Sequence, residues 1–561
     1  MKLVLRMTAI ALAIGGLPFD RAASAAPPEN NLVYHILVRS FSDSDDTDPE
    51  AYGDLRGLQS QLDPYLNDGK PETDHDLEAG ILWLMPIFPA KSYHGYNVND
   101  YENVSPDLGT LADLKNLVAA AHARGVRIIL DIPFNHTSDE HIWFKQAVAG
   151  DAAMRKHYFF RAGGQQLTDG WHKIVHNGVE SQYFGLFDKS MPDLNFDEST
   201  VKTEVKRIAK HWLDIGIDGF RLDAAKHIFG DTFGELTNPQ ILKNNDWWLE
   251  FSNHCNTVNP KTILVGEVLG GGEALRRHAY GLEALLDEPF MHDARHQIAF
   301  PQSGFVARQR DALNAERDVN RLAPHVPDRP YSPFYFIGSH DENPRLASKL
   351  EEFRGQGMAA EVDQAYRVGM YLLLSIGKYP VVYYGEEVMQ RGFKWNGDGD
   401  GSGIFDETLR EPFPWYKSGT GTGQTNWFPP RFDKADDGVS REEQGAEGGM
   451  LHLVRGITNL RTRHPVLADG DIGEILSDTH DWMVFERAEG ARRYLVLINP
   501  TGEAKDYQFH EGWFPRYFNA QLLFWSDGKN RKWADETAAD KRIEKKVEVP
   551  AYGMVVLQQR D

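Results

Sequence analysis

The chain has 561 residues, 41% of them apolar and 25% charged, which is the composition of a water-soluble globular protein. That length exceeds one ordinary domain and accommodates a large barrel with a smaller module. Its 60 basic residues against 82 acidic ones leave a formal charge of −22. Such a surface repels nucleic acid and anionic lipid and excludes both as partners, but does not repel a neutral substrate.

In chain order, the first segment reads as a signal peptide, residues 1–25. Lys2 and Arg6 give a positive start, "MTAIALAIGGL" a short apolar core, and "AASAAP" a small-residue cleavage site after Ala25. The apolar core is too short to span a bilayer. The mature protein is therefore expected to be exported, to a periplasm or the medium, with no membrane contact once the signal is removed. Cys255 is the single cysteine, so no internal disulfide can form; in the helix-like "WWLEFSNHCNTV" it reads as a small buried side chain.

Short apolar, β-branched runs then alternate with helix-period stretches. "NLVYHILVRSF" from Asn31 reads as a strand and "GDLRGLQSQLDPYL" from Gly53 as a helix. "AGILWLMPI" from Ala79 is a strand, "TLADLKNLVAAAHARG" from Thr110 a helix closed by Gly125, and "VRIILDIPF" from Val126 a third strand. A helix from Thr200 precedes the fourth strand, "IDGFRLDA". "TILVGEV", "LEALLDEPF", "YFIGSHDEN" and "YPVVYYGEEV" complete eight strands. Continuous apolar strands suit a parallel sheet buried on both faces, and eight with intervening helices predict a closed (β/α)8 TIM barrel. A doubly wound open sheet is the alternative, but no Gly-x-Gly-x-x-Gly turn follows the first strand.

The stretch between the third strand and the next helix is too long for a loop and reads as an inserted subdomain. Beyond "LRTRHPVL", the segments "DWMVFER", "RRYLVLINP" and "EVPAYGMVVLQQ" read as short antiparallel strands. The expected organisation is a barrel over 26–135 and 200–468, an insert over 136–199, and a C-terminal antiparallel β-sandwich domain over 469–561.

Catalytic groups of such a barrel sit where the strands end. Those ends carry Asp131 through His136, then Arg221 and Asp223, then Glu267, then His340 and Asp341. A single Asp or Glu there is ordinarily a turn former or helix cap. Repetition on successive strands asks for more. Two chemistries fit: glycosidic cleavage, with one carboxylate ionised and one protonated, or metal-dependent hydrolysis. The site strands show no His-x-His or His-x-x-x-His, and Arg221 beside Asp223 disfavours a metal there, so the residues lean toward the first.

"DIPFNH" (131–136), "GFRLDAAKH" (219–227), "GEV" (266–268) and "SHDEN" (339–343) resemble the four ordered signature regions of the α-amylase family, glycoside hydrolase family 13. "MPDLN" (191–195) resembles its fifth region, in the form carried by an intermediate group that includes exported bacterial α-amylases. "YHGYNVNDY" and "YYGEE" resemble two more regions. The resemblance implies Asp223 as nucleophile, Glu267 as general acid then base, and Asp341 as the carboxylate that binds sugar hydroxyls. It implies that Arg221 holds Asp223 ionised and that His136 and His340 bond sugar hydroxyls. Tyr96 would stack on the sugar, while Lys226 and His227 would face the leaving side.

The resemblance further implies structural calcium, held by Asn135, Asp193 and the backbone oxygen of His227, and more weakly by Asp43 and Asp45 in "SDSDDTD". Ser339 stands where chloride-dependent members carry Asn, so no chloride site is expected. The implied activity is retaining, endo-acting hydrolysis of α-1,4-glucosidic bonds in starch, glycogen or maltodextrin, by a monomer acting on an α-glucan partner. A cyclomaltodextrinase or neopullulanase, an α-glucanotransferase, and an inactive carbohydrate-binding homologue are the alternatives.

Overall fold

The computed structural model describes residues 31–45, 51–322, 331–355, 359–395, 405–510, 514–517, 520–527, 531–533 and 545–559. The expected signal, residues 1–25, and the end of the acidic run, 46–48, lie outside the described residues.

Eight parallel strands close into a barrel. They are β1 (Val33–Ile36), β2 (Ile81–Leu84), β3 (Arg127–Ile132), β4 (Gly219–Leu222), β5 (Ile263–Gly266), β6 (Ala284–Asp287), β7 (Phe334–Phe336) and β8 (Tyr379–Tyr383). β8 pairs with β1, Val33 opposite Val381, which completes the ring. The first strand is shorter than its apolar run suggests: after Ile36 the chain turns into a helical stretch, Val38–Phe41. A strand that ends at the barrel rim has no neighbour to extend its ladder, so the apolar residues beyond it pack as a helical turn instead.

Side chains alternate across the barrel wall. Val33, Ile81, Trp83, Ile129, Val265 and Val381 pack together in the interior. Tyr34, Leu82, Leu130 and Phe220 point outward into the layer shared with the helices. Burying each such side chain contributes roughly 1.5–3 kcal/mol. Helix Leu111–His122 starts on a reciprocal cap between Thr110 and Asp113. The amphipathic helix Ser199–Ile215 ends at Gly216, whose φ of 109° is open only to glycine at low cost. Gly219 is fixed by close approach: a Cβ there would lie 1.9 Å from the Ile263 carbonyl oxygen. Cys255 is buried in helix Asn238–Val258, and burial pushes its thiol up to about 12.

Between β3 and Ser199 the chain builds helix Ile142–Val148 and a three-stranded antiparallel sheet. Val179–Phe184 is the middle strand of that sheet, between Phe160–Ala162 and Trp171–His176. The segment returns to the barrel through an isolated bridge between His136 and Asp193. The C-terminal module has a six-stranded antiparallel sheet beginning with Asp471–Asp478 and a two-stranded sheet, Lys505–Gln508 with Lys546–Val549. Val484, Leu495, Leu497 and Val555 of the large sheet meet Val549 and Phe509 in a common core. Arg487 joins this module to the barrel through the carbonyls of Ile376 and, at 3.3 Å, Ala468.

Candidate active site

Register explains the centre of the site. Asp131 on β3 stands opposite Arg221 on β4, and both face the barrel interior. Arg221 Nη1 donates to Asp131 Oδ1 at 2.9 Å. Asp223 follows β4 directly, and its N–H extends the ladder to Ile132 O. The same Nη1 donates to Asp223 Oδ1 at 2.5 Å. Glu267 follows β5, its N–H bonded to Leu222 O, and Arg221 Nη2 reaches Glu267 Oε1 at 2.7 Å. One guanidinium, 1% exposed, thus serves three carboxylates.

Asp131 is held from its other side by Trp83 and Tyr96. Its Oδ2 accepts from Trp83 Nε1 at 3.1 Å and from the Tyr96 hydroxyl at 2.9 Å. His35, opposite Trp83 across β1 and β2, stacks on the indole with centroids 3.7 Å apart. Desolvation pushes the His35 imidazole well down, so it packs as a neutral ring.

Three carboxylates surround the one guanidinium. Burial pushes the Asp223 carboxyl well up; Arg221 opposes that, while Glu267 and Asp131 add to it. Glu267 also accepts the Ala224 N–H at 2.9 Å. Arg221 favours the ionised form of Asp223 against that burial. Its charge is divided among Asp131, Asp223 and Glu267.

Asp341 comes from the loop after β7. Its side chain is 50% exposed, in the cleft. Burial acts to raise its carboxyl, but His340 at 3.0 Å and Arg410 at 3.0 Å outweigh it and hold it well below the usual carboxylate range. Arg410 also donates to the His340 carbonyl at 3.1 Å and to the Tyr93 hydroxyl at 3.2 Å, and pairs with Asp406 at 2.7 Å.

Asp223, Glu267 and Asp341 line one cleft of about 640 Å³, together with Tyr96, His136, Lys226 and His227. Arg221 and His340 are buried alongside it. Tyr96 lies nearly parallel to His340, with Oη 2.7 Å from His340 Nε2. Lys226 Nζ donates to Leu269 O at 3.2 Å. His136 is pushed down to about 4 by burial, and its two nitrogens lie 3.1 Å from Asn135 Oδ1 and 3.1 Å from Tyr96 O. Asn135 Nδ2 donates to His227 O at 3.0 Å, and buried Asp193 accepts the Leu186 N–H at 3.0 Å. Asp43 and Asp45 are apart from these: Asp43 Oδ1 accepts the Asp45 N–H at 2.9 Å in a local turn after β1.

Arg410, Asp406 and Tyr93 escaped the sequence reading, as did the bridging role of Asp131. Arg410 sits in "ETLREPFPW", a stretch with no helix or strand period, where one arginine carries no signal. Phe187, Phe233 and Leu269 also line the cleft and are exposed.

Residues 35–470 match the family described as alpha amylase, catalytic domain. The chain belongs to the alpha-amylase family. Alpha-amylase 3 of Dictyoglomus thermophilum is 31% identical over 486 residues, covering 86% of this chain and 87% of that relative. A 4-alpha-glucanotransferase of Thermotoga maritima is 28% identical over 476 residues, covering 84% and 96%. Among solved structures, the alpha-amylase from H. orenii superposes with a TM-score of 0.76 at 31% identity, covering 95% of this chain and all of that one. The chain is thus an α-amylase-family enzyme acting on α-glucans, with a (β/α)8 barrel and a C-terminal antiparallel module.

Proposed function

We propose that the protein hydrolyses internal α-1,4-glucosidic bonds of starch-like glucans with retention of configuration. The observation that carries this reading is the Arg221 guanidinium bridging Asp223 and Glu267 at 2.5 and 2.7 Å in the same cleft as Asp341. In the productive form Glu267 carries a proton as general acid, and Asp223 is ionised against Arg221. Glu267 gives its proton to the glycosidic oxygen as Asp223 attacks the anomeric carbon and the leaving sugar departs. Water, deprotonated by Glu267, then displaces Asp223 from the same carbon. Two inversions give net retention. Asp341, kept ionised by His340 and Arg410, accepts hydrogen bonds from sugar hydroxyls and holds the ring in place.

Calcium belongs to the same reading. Neutral His136 has one N–H, yet Asn135 Oδ1 and Tyr96 O are both acceptors. A half-turn of the Asn135 amide, which exchanges its oxygen and nitrogen, satisfies His136 and turns Oδ1 toward His227 O. The carboxyl of Asp193, pushed up to about 8 by burial, gains from a nearby cation. Oxygen donors of this kind suit calcium. When bound, the ion supplies a cross-link between insert and barrel.

Transfer to a second sugar in place of water is the second reading, favoured by the likeness to the Thermotoga glucanotransferase and by exposed Phe187 and Phe233 in the cleft. Export and a monomeric state complete the proposal. Reducing ends released from soluble starch by the wild type, and their absence with Asp223→Asn, test the activity. A product profile from starch, pullulan and cyclodextrin separates hydrolysis from transfer. No release by either protein overturns the reading.

A further inference from the structure

A second cavity, of about 530 Å³, opens between the inserted subdomain and the barrel. That volume lies within the range of small-molecule sites, about 300–1,000 Å³. It shares only His227 with the catalytic cleft, so the two lie on either side of the segment after β4. Its insert wall is aromatic. Trp171 and Phe184 are a cross-strand pair with centroids 5.6 Å apart, and Phe159, 36% exposed, packs edge-on against Phe184 at 6.3 Å. Arg161 lies over the Trp171 ring at 4.1 Å and fixes its orientation.

The barrel wall is mixed. Asp231 accepts from Gln240 at 2.9 Å beside Ile228 and Phe229, and Lys243 pairs with Asp197 of the insert at 2.8 Å; Asp169 of the insert adds another carboxylate. The lysine that lines the cavity is already neutralised, so the cavity offers nothing to a phosphate or other anion. Asp193 and His227, which the proposed calcium would use, also line this cavity, but the ring faces of Trp171 and Phe159 have no use for that ion. A neutral, polyhydroxylated ligand satisfies both walls: its C–H faces lie on the aromatics and its hydroxyls donate to the carboxylates.

We propose that this cavity is a non-catalytic binding site for α-glucan chains, an inference that rests on the α-glucan activity proposed above. A polymer offers many equivalent units, so a segment held here raises the effective concentration of the rest of the chain at the cleft. Short oligosaccharides gain nothing from it.

The test uses full-length protein. Maltoheptaose is titrated calorimetrically into Asp223→Asn, which turns it over too slowly to deplete it. Two binding events are expected, one of which disappears when Trp171→Ala is added. In the catalytically intact background, Trp171→Ala lowers kcat/KM on soluble starch about tenfold and leaves kcat/KM on maltotetraose unchanged. Should Trp171→Ala disturb folding, as read by circular dichroism, Phe159→Ala on the rim is measured instead. A single binding event in Asp223→Asn overturns the proposal, as does a starch rate indifferent to Trp171 and Phe159. Failure of the α-glucan reading itself is seen separately, as a wild type that releases no reducing ends from starch.

Discussion

The floor of the cleft and its far wall hold their carboxylates by different means. On the floor, Asp223 and Glu267 follow adjacent strands, and ladder hydrogen bonds to Ile132 O and Leu222 O fix their backbones. Arg221 then fixes their side chains from within the barrel. On the far wall, Asp341 rides on a loop and is held by Arg410, which lies 69 residues further along the chain. Barrel register prealigns the first pair. The third carboxylate depends on a contact between two loops, which is where proteins of one fold diverge.

The largest expected effect lies on the floor. Asp223→Asn and Glu267→Gln should each lower kcat on starch by about 10⁴-fold, since each removes a group that bonds to or protonates the reacting atoms. Losses of only tenfold would mean that the strand ends are scaffolding.

The far wall comes next. Arg410→Ala should lower kcat/KM by on the order of 10²-fold by releasing Asp341 from its position. Arg410→Lys should recover only part of this, because a lysine keeps the charge but not the fork that reaches Asp341, Asp406 and the His340 carbonyl together. Full activity in Arg410→Ala would show that the loop holds Asp341 unaided.

A pH profile sharpens the contrast. Burial is the main force raising the Asp223 carboxyl, with Arg221 opposing and the charge of Asp131 contributing to the rise. Asp223 attacks as its carboxylate, so activity falls as pH drops through that raised value. Asp131→Asn removes one negative neighbour and frees Arg221, and both changes lower that value. The acid limb of kcat/KM should therefore move to lower pH. Asp341, held low, stays ionised through the acid limb.

The smallest effect concerns the junction above both regions. Added calcium should raise the melting temperature by a few degrees, equivalent to about 2.7 kcal/mol at a hundredfold excess over Kd. Asp193→Asn should abolish that rise, as differential scanning calorimetry would show. An unchanged calcium response in the variant would place the ion elsewhere.

This division also tracks what the sequence made legible. All eight barrel strands stood out because a parallel sheet covered on both faces demands continuous apolar runs such as "RIILDI" and "ILWL". Arg221, Asp223 and Glu267 were legible because they sit at the ends of such runs. Arg410 was not, because its partner is set by how two aperiodic loops meet. The sharing of Arg221 among three carboxylates was also hidden: spacing shows that positions 221 and 223 are neighbours, but only closure of the sheet places Asp131 opposite Arg221. The second cavity depends on a cross-strand pair, Trp171 with Phe184, within an insert that the sequence reading left without internal structure.

In the proposed reaction Asp223 attacks the sugar while Glu267 handles the proton. A fluorinated α-glucosyl fluoride that slows release of the intermediate, followed by peptide mass spectrometry, tests this directly. The predicted result is one glucosyl adduct on the peptide containing Asp223, absent in Asp223→Asn. An adduct on Glu267, or turnover that releases the inverted anomer with no adduct, would contradict it.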